Sequence, residues 1–168
     1  MKRFTKYRAL GCGLLMAAAA AFGVSLSGCY DNNCPLTTIS YAHFDFYGST
    51  SKSAVAWTSA MTVAGYPDKD EAQADTIYNA EASLSSLSLP LSYTASTTYV
   101  LHYTDLMKDV ITVTHKNIPY VSDIECGTMM FYQVESIDYT TNAIDSIVVK
   151  NAAINNEEKQ NFVIYFRE

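Results

Sequence analysis

The chain has 168 residues, with 11 basic and 17 acidic side chains and a net charge of −6. That length supports one ordinary domain with its own core. The acidic balance argues against nucleic acid or an anionic bilayer surface as the partner.

The N-terminus opens with Met1-Lys2-Arg3-Phe4-Thr5-Lys6-Tyr7-Arg8, four positive charges without an acid, and continues as an apolar run from Ala9 to Leu26. A basic start, an apolar middle and small residues at the end are the marks of a secretory signal. The competing reading is an uncleaved transmembrane helix, since about eighteen mostly apolar residues nearly span a bilayer. Here alanine and glycine make the run only mildly hydrophobic, and it ends on Leu26-Ser27-Gly28-Cys29. Those four residues resemble a bacterial lipobox. A thiol is nucleophilic enough to take a diacylglyceryl group as a thioether, and small residues before it admit the peptidase. Residues 1–28 are therefore expected to be a lipoprotein signal peptide, residues 29–36 a lipidated N-terminus and short tether, and residues 37–168 a single β domain. Cys29 is the expected lipidation site. One acyl chain binds a membrane only marginally, whereas two or three anchor it for good. The expected location is the bacterial cell envelope, with the outer membrane preferred and the inner as the alternative, and with membrane lipid as partner through acylated Cys29. Losing the signal removes four basic residues and no acids, so the mature chain carries seven basic against seventeen acidic side chains.

Cys34 and Cys126 remain as an even pair in an exported setting, where a disulfide is the economical reading. It would close a loop of about ninety residues, worth roughly 4–5 kcal/mol in the chain-entropy model. Two free thiols are the alternative. Neither cysteine has a second Cys or His at metal-ligand spacing.

Beyond Pro35 the chain reads as short strands separated by turn residues. Thr38 to Tyr47 alternates, with Ala42, Phe44 and Phe46 on one face. Val55 to Val63 is a weaker candidate, stopped by Gly65-Tyr66-Pro67-Asp68. Asp68 to Asp75 predicts a surface loop or one helical turn. Thr76 to Tyr78 and Leu84 to Leu89 are short strands, and Pro90 disfavours a central position there. Thr98 to Thr104 and Val110 to His115 predict a hairpin in which Asp105 pairs with Asp109, Tyr103 with Ile111 and Leu101 with Val113, gathering both apolar rows on one face. Ile118 to Ile124 contains Pro119 and reads as loop or edge. Met129 to Ile137, a turn near Thr140-Thr141-Asn142, and Ile144 to Lys150 predict a second hairpin. Asn151 to Gln160 is polar with helical potential, and Phe162 to Phe166 is a final apolar strand. About seven or eight short antiparallel strands at this spacing predict an all-β sandwich, with a small β-barrel as the alternative.

Cys29, Cys34-Pro35, Leu89-Pro90-Leu91 before a strand, and Cys126-Gly127 together resemble a family of short Bacteroidota cell-envelope lipoproteins of unknown function. The resemblance implies a β protein of the cell envelope and brings no catalytic residue.

Chemistry-bearing residues are few. His43, His102 and His115 would need to converge with a carboxylate to hold a metal. The predicted hairpin puts His115 opposite Tyr99 on the apolar face and His102 on the other, so hydrogen-bonded strand histidines are expected. Asp68, Asp70 and Glu71 lack the spacing and glycine of a calcium loop. No Gly-x-Ser-x-Gly elbow and no His-Glu-x-x-His occurs. No catalytic residue, metal or cofactor is assigned, and the reading is non-enzymatic. Twelve of the thirteen tyrosines follow residue 28, a composition suited to gripping a protein or stacking on sugars, although Tyr also favours strands for its own sake. The expected function is a binding or assembly module with an envelope protein as partner. The alternative is a small-ligand or glycan-binding lipoprotein, with its site in a barrel or on a sheet face.

Overall fold

A computed structural model of the chain describes residues 38–123 and 127–168. Cys29, Cys34 and Cys126, with the signal segment, lie outside the described residues. Among the described residues ten strands build two sheets. The first has the order β4 (Ser86–Pro90), β1 (Tyr41–Gly48), β10 (Phe162–Phe166), β8 (Ile144–Val149). The second has the order β3 (Asp75–Glu81), β2 (Met61–Pro67), β5 (Ser96–His102), β6 (Lys108–Asp123), β7 (Gly127–Tyr139), β9 (Ala153–Ile154). The fold is an all-β sandwich. Among the described residues no helix is long and apolar enough to cross a membrane.

Strict alternation in β1 explains why it sits in the middle of its sheet. Ala42, Phe44 and Phe46 turn inward and are fully buried, while Tyr41, His43, Asp45 and Tyr47 face outward. Phe44 stacks on Phe162 with ring centroids 4.3 Å apart and meets Tyr99 of the facing sheet edge-on at 6.2 Å. Each such aromatic pair adds about 0.5–1.5 kcal/mol to what its area contributes. β1 runs parallel to β10, the one departure from the antiparallel expectation among the paired strands of the described residues. It joins the two ends of the domain, and no local turn could have announced it.

Three other readings need correction, and for the stretch that holds Pro119 the edge alternative is the one that stands. The β5–β6 hairpin pairs Tyr99 with Ile111 and Leu101 with Asp109, four residues from the expected register. Its turn is closed by Tyr103 N–H donating to the Met107 carbonyl at 3.0 Å. An even shift keeps the same residues inward, so Tyr99, Leu101, Ile111 and Val113 are buried as expected. β2 begins at Met61 and runs through Gly65 and Tyr66 to Pro67. β6 continues through Pro119, paired with Met130; β5 has ended by then, so this stretch has a ladder on one side only, where proline is tolerated. Residues 151–160 hold β9 and turns rather than helix.

The largest correction concerns Thr140 to Ile144. Instead of closing a hairpin, this segment leaves the six-stranded sheet and enters the other as β8, which pairs with β10. The cause is Asp109, which is fully buried. Its Oδ1 accepts from Asn142 N–H and Thr140 Oγ1, both at 2.7 Å, and its Oδ2 from Ala143 N–H at 2.8 Å and Ile144 N–H at 3.0 Å. Tyr103 Oη donates to Oδ2 at 3.2 Å. Burial alone would push the carboxyl pKa up, but the hydrogen bonds from Asn142, Thr140, Ile144 and Ala143 outweigh it and hold the pKa below the ordinary value.

The native state thus releases this proton more readily than the unfolded chain. The stability it contributes is complete above the unfolded value of about 3.9 and is lost as pH falls through the lower native value. Asp109→Asn should lower stability by about 2–3 kcal/mol at pH 7. It should also flatten the fall of the urea midpoint below pH ~4; equal acid slopes in both proteins would show that the clasp does not depend on charge.

Candidate functional site

Three polar arrangements stand out from the apolar core. The first surrounds His115, 3% exposed at the start of the β6 overhang. Asn117 Nδ2 donates to the carbonyls of Tyr93 (2.7 Å) and Thr94 (3.0 Å), which turns its Oδ1 toward His115 Nδ1 at 2.8 Å. The imidazole proton is therefore assigned to Nδ1, and Nε2 accepts from Thr97 Oγ1 at 3.0 Å. The order hydroxyl, imidazole, amide is that of a nucleophile with its base and orienter. Thr97, however, is itself 3% exposed and accepts the Ser92 N–H at 2.9 Å. Its oxygen is committed to holding the β4–β5 connection, although the residue reaches the wall of a 180 Å³ recess beside Tyr66 and Ser92. Burial pushes the His115 pKa down, with the Asn117 bond opposing in part.

The carboxylates of residues 68–71 act locally. Asp68 Oδ1 accepts from Ser96 N–H at 3.1 Å, and Asp70 caps the short 3₁₀ turn Glu71–Gln73 through Ala72 N–H at 3.2 Å. Glu71 receives the Tyr66 hydroxyl at 3.4 Å. His102 lies on the face opposite to buried Leu101 and pairs across to Lys108. The three histidines are not brought together.

The third arrangement is a cleft on the outer face of the four-stranded sheet. Its floor is a set of cross-strand pairs, Tyr41 with Pro90, His43 with Ser88 and Asp45 with Ser86. These residues share the outward face because β1 and β4 send their alternate side chains, Phe44, Leu87 and Leu89, into the core. His43 Nδ1 lies 3.0 Å from Ser88 Oγ. One wall is the segment after β9. Two recesses of about 520 and 340 Å³ open there and share His43, Ser88 and Glu158, so they form one trough.

Asn161 holds that wall. The residue is 2% exposed and uses its whole polar inventory. Its Oδ1 accepts from His43 N–H at 3.1 Å and its N–H donates to the His43 carbonyl at 3.1 Å. Its Nδ2 donates to the carbonyls of Asn151 (3.2 Å) and Ala153 (3.1 Å), and its own carbonyl accepts from Lys150 and Asn151. Further out, Glu157 gathers its neighbours. Its N–H donates to Asn155 Oδ1 at 3.0 Å, its carboxylate accepts from Asn155 Nδ2 at 3.1 Å, and Lys159 Nζ pairs with it at 2.5 Å. Gln160 Nε2 donates to Asp45 Oδ2, tying wall to floor. Neither histidine spacing nor any motif marks this cleft in the sequence. Only the polar run Asn151 to Gln160 hints at a surface segment.

Asn161→Ala should cost about 2–4 kcal/mol, since it strips partners from the buried His43 N–H and two carbonyls. Amide exchange across residues 151–160 should accelerate; unchanged exchange there would mean that other contacts hold the wall. His115 gives a separate pH signature. Its lowered pKa makes its contribution complete above about pH 6.5 and lost as pH falls through the native value. The decline in urea midpoint as pH falls below about 6.5 should be weaker in His115→Gln.

Comparison with known proteins adds one match. A model described as a family of unknown function (DUF6452) matches residues 60–166, a span that starts just before β2 and leaves β1 outside. No curated protein and no solved structure matches the chain.

Proposed function

Because the chain belongs to that family of unknown function, its role has to be argued from its own residues, and we propose that it is a lipid-anchored, non-enzymatic binding module of the bacterial cell envelope. The anchor is acylated Cys29, exposed when the signal 1–28 is removed, as in the Bacteroidota lipoproteins that the sequence resembles. Cys34 and Cys126 pair as a disulfide after export. Only Tyr30-Asp31-Asn32-Asn33 separates Cys29 from Cys34, five residue steps that reach at most about 18 Å. The domain therefore works close to the bilayer.

The observation that carries the reading is where space is found. Phe44, Phe46, Phe162, Tyr99, Leu101 and Ile111 are fully buried between the sheets, and the trough lies on the outside. That is the plan of a protein that binds at its surface, rather than a carrier wrapped around an apolar ligand. A second contact area supports a protein partner in the envelope. The far part of the β6–β7 hairpin exposes Ile118, Tyr120 and Val121, with Tyr120 stacked on Phe131 at 4.6 Å. Apolar and aromatic groups of this kind gain most from protein contact.

Lipid attachment is the first point to test. In detergent phase separation of native envelopes, the wild-type protein should enter the detergent phase. Cys29→Ala should remain an unprocessed precursor or move to the aqueous phase. Equal partitioning of a processed variant would refute the anchor.

A further inference from the structure

We infer that the trough over β1 and β4 is a binding site for a neutral oligosaccharide. This rests on the reading of the protein as a surface-binding module and names the ligand class that this cleft fits.

Shape comes first. From Tyr41 to Asp45 the floor runs four strand steps, about 13 Å at the usual rise, longer than a single sugar ring. The larger recess, about 520 Å³, falls within the range of small-ligand sites. Its floor is a paired strand and its wall is pinned by buried Asn161 and by Gln160 on Asp45. A site held this way loses little freedom when it binds.

The lining chemistry selects the ligand. Glu157 commits Asn155 and Lys159 to itself. The residues between them, Asn156 and Glu158, line the trough with no side-chain partner among the described residues. An amide both donates and accepts, and a carboxylate accepts from two hydroxyls at once. His43 and Ser88 add an imidazole and a hydroxyl beside them, and Tyr41 adds an aromatic ring. Sugar hydroxyls are donors and acceptors together, and the C–H face of a pyranose suits an aromatic ring. The alternatives fit less well. Asp45 and Glu158 repel an anionic ligand, and Lys159, which lines the smaller recess with them, already faces Glu157 at 2.5 Å. The described residues bring no three His, Cys, Asp or Glu side chains together for a metal ion. A lipid tail could lie along Ile39 and Tyr41 but would leave the polar atoms of His43, Ser88, Asn156 and Glu158 in the same recess unsatisfied.

The test uses full-length lipidated protein in detergent micelles. It is screened against immobilised neutral, uronic-acid-containing and sulfated oligosaccharides, and the best neutral binder is then titrated by calorimetry. A neutral oligosaccharide should bind. Asn156→Ala and Tyr41→Ala should each weaken it at least tenfold, and the distant Lys116→Ala should not, with thermal midpoints unchanged in all three. Binding of no neutral sugar, preference for the anionic ones, or full affinity in both cleft variants would each overturn the inference. A photo-crosslinking residue at position 156 in growing cells separates this from the broader reading. A protein adduct without sugar binding removes the oligosaccharide and keeps the binding module. Neither sugar nor adduct removes the cleft as a binding site altogether.

Discussion

Asp109 is a charge sealed inside a sandwich, and the path of the second half of the chain follows from how that charge is satisfied. A buried carboxylate without partners would cost several kcal/mol. Here three successive backbone N–H groups, Asn142 to Ile144, converge on it with the hydroxyls of Thr140 and Tyr103. Successive amides pointing at one anion form a small nest of partial positive charge. Making that nest bends the chain after β7 out of its own sheet. β8 then lands beside β10, β10 beside β1, and β1 supplies the floor of the trough. A single acid in one sheet thereby determines how the other is assembled.

Other crossings between the sheets use the same logic with neutral groups. Tyr99 sends its hydroxyl across to the Pro90 carbonyl at 2.8 Å, and Tyr132 reaches the Leu91 carbonyl at 3.2 Å. Each buries a large ring and still satisfies its polar tip. Burial pushes both phenols up, Tyr132 to about 12, so they stay neutral donors at any physiological pH. Many of the tyrosines thus serve the interior. At the other end, Gly48 leaves room for the Glu168 side chain, where a Cβ would lie 2.3 Å from its Oε1. The Glu168 carboxylate accepts from Thr50 and Ser51 N–H and closes the turn after β1.

The trough and the proposed anchor belong to one physical scheme. On that proposal a domain tied by a few residues to lipid could not search far from the membrane, and its ligands would be those of the envelope itself. The trough is rigid because its wall is fastened by a buried amide rather than by exposed ion pairs, which contribute little in water. Asn161 ties that wall to His43, the residue at the trough's centre.

Composition and alternation were enough to identify an all-β domain and to place Phe44, Phe46, Tyr99, Leu101, Ile111 and Val113 inward. These are local properties, because a strand's two faces are written in neighbouring residues. The exact hairpin register was not legible, since an even slip preserves every face and only the buried Asp109 opposite Leu101 chooses among them. Nor was the departure of β8, because nothing near Thr140 says that its N–H groups will meet a carboxylate some thirty residues earlier in the chain. The cleft was hidden for the same reason. His43, Ser88 and Asn156 are ordinary polar residues in three separate segments, and only the pairing of β1 with β4, under a wall held by Asn161, makes them neighbours.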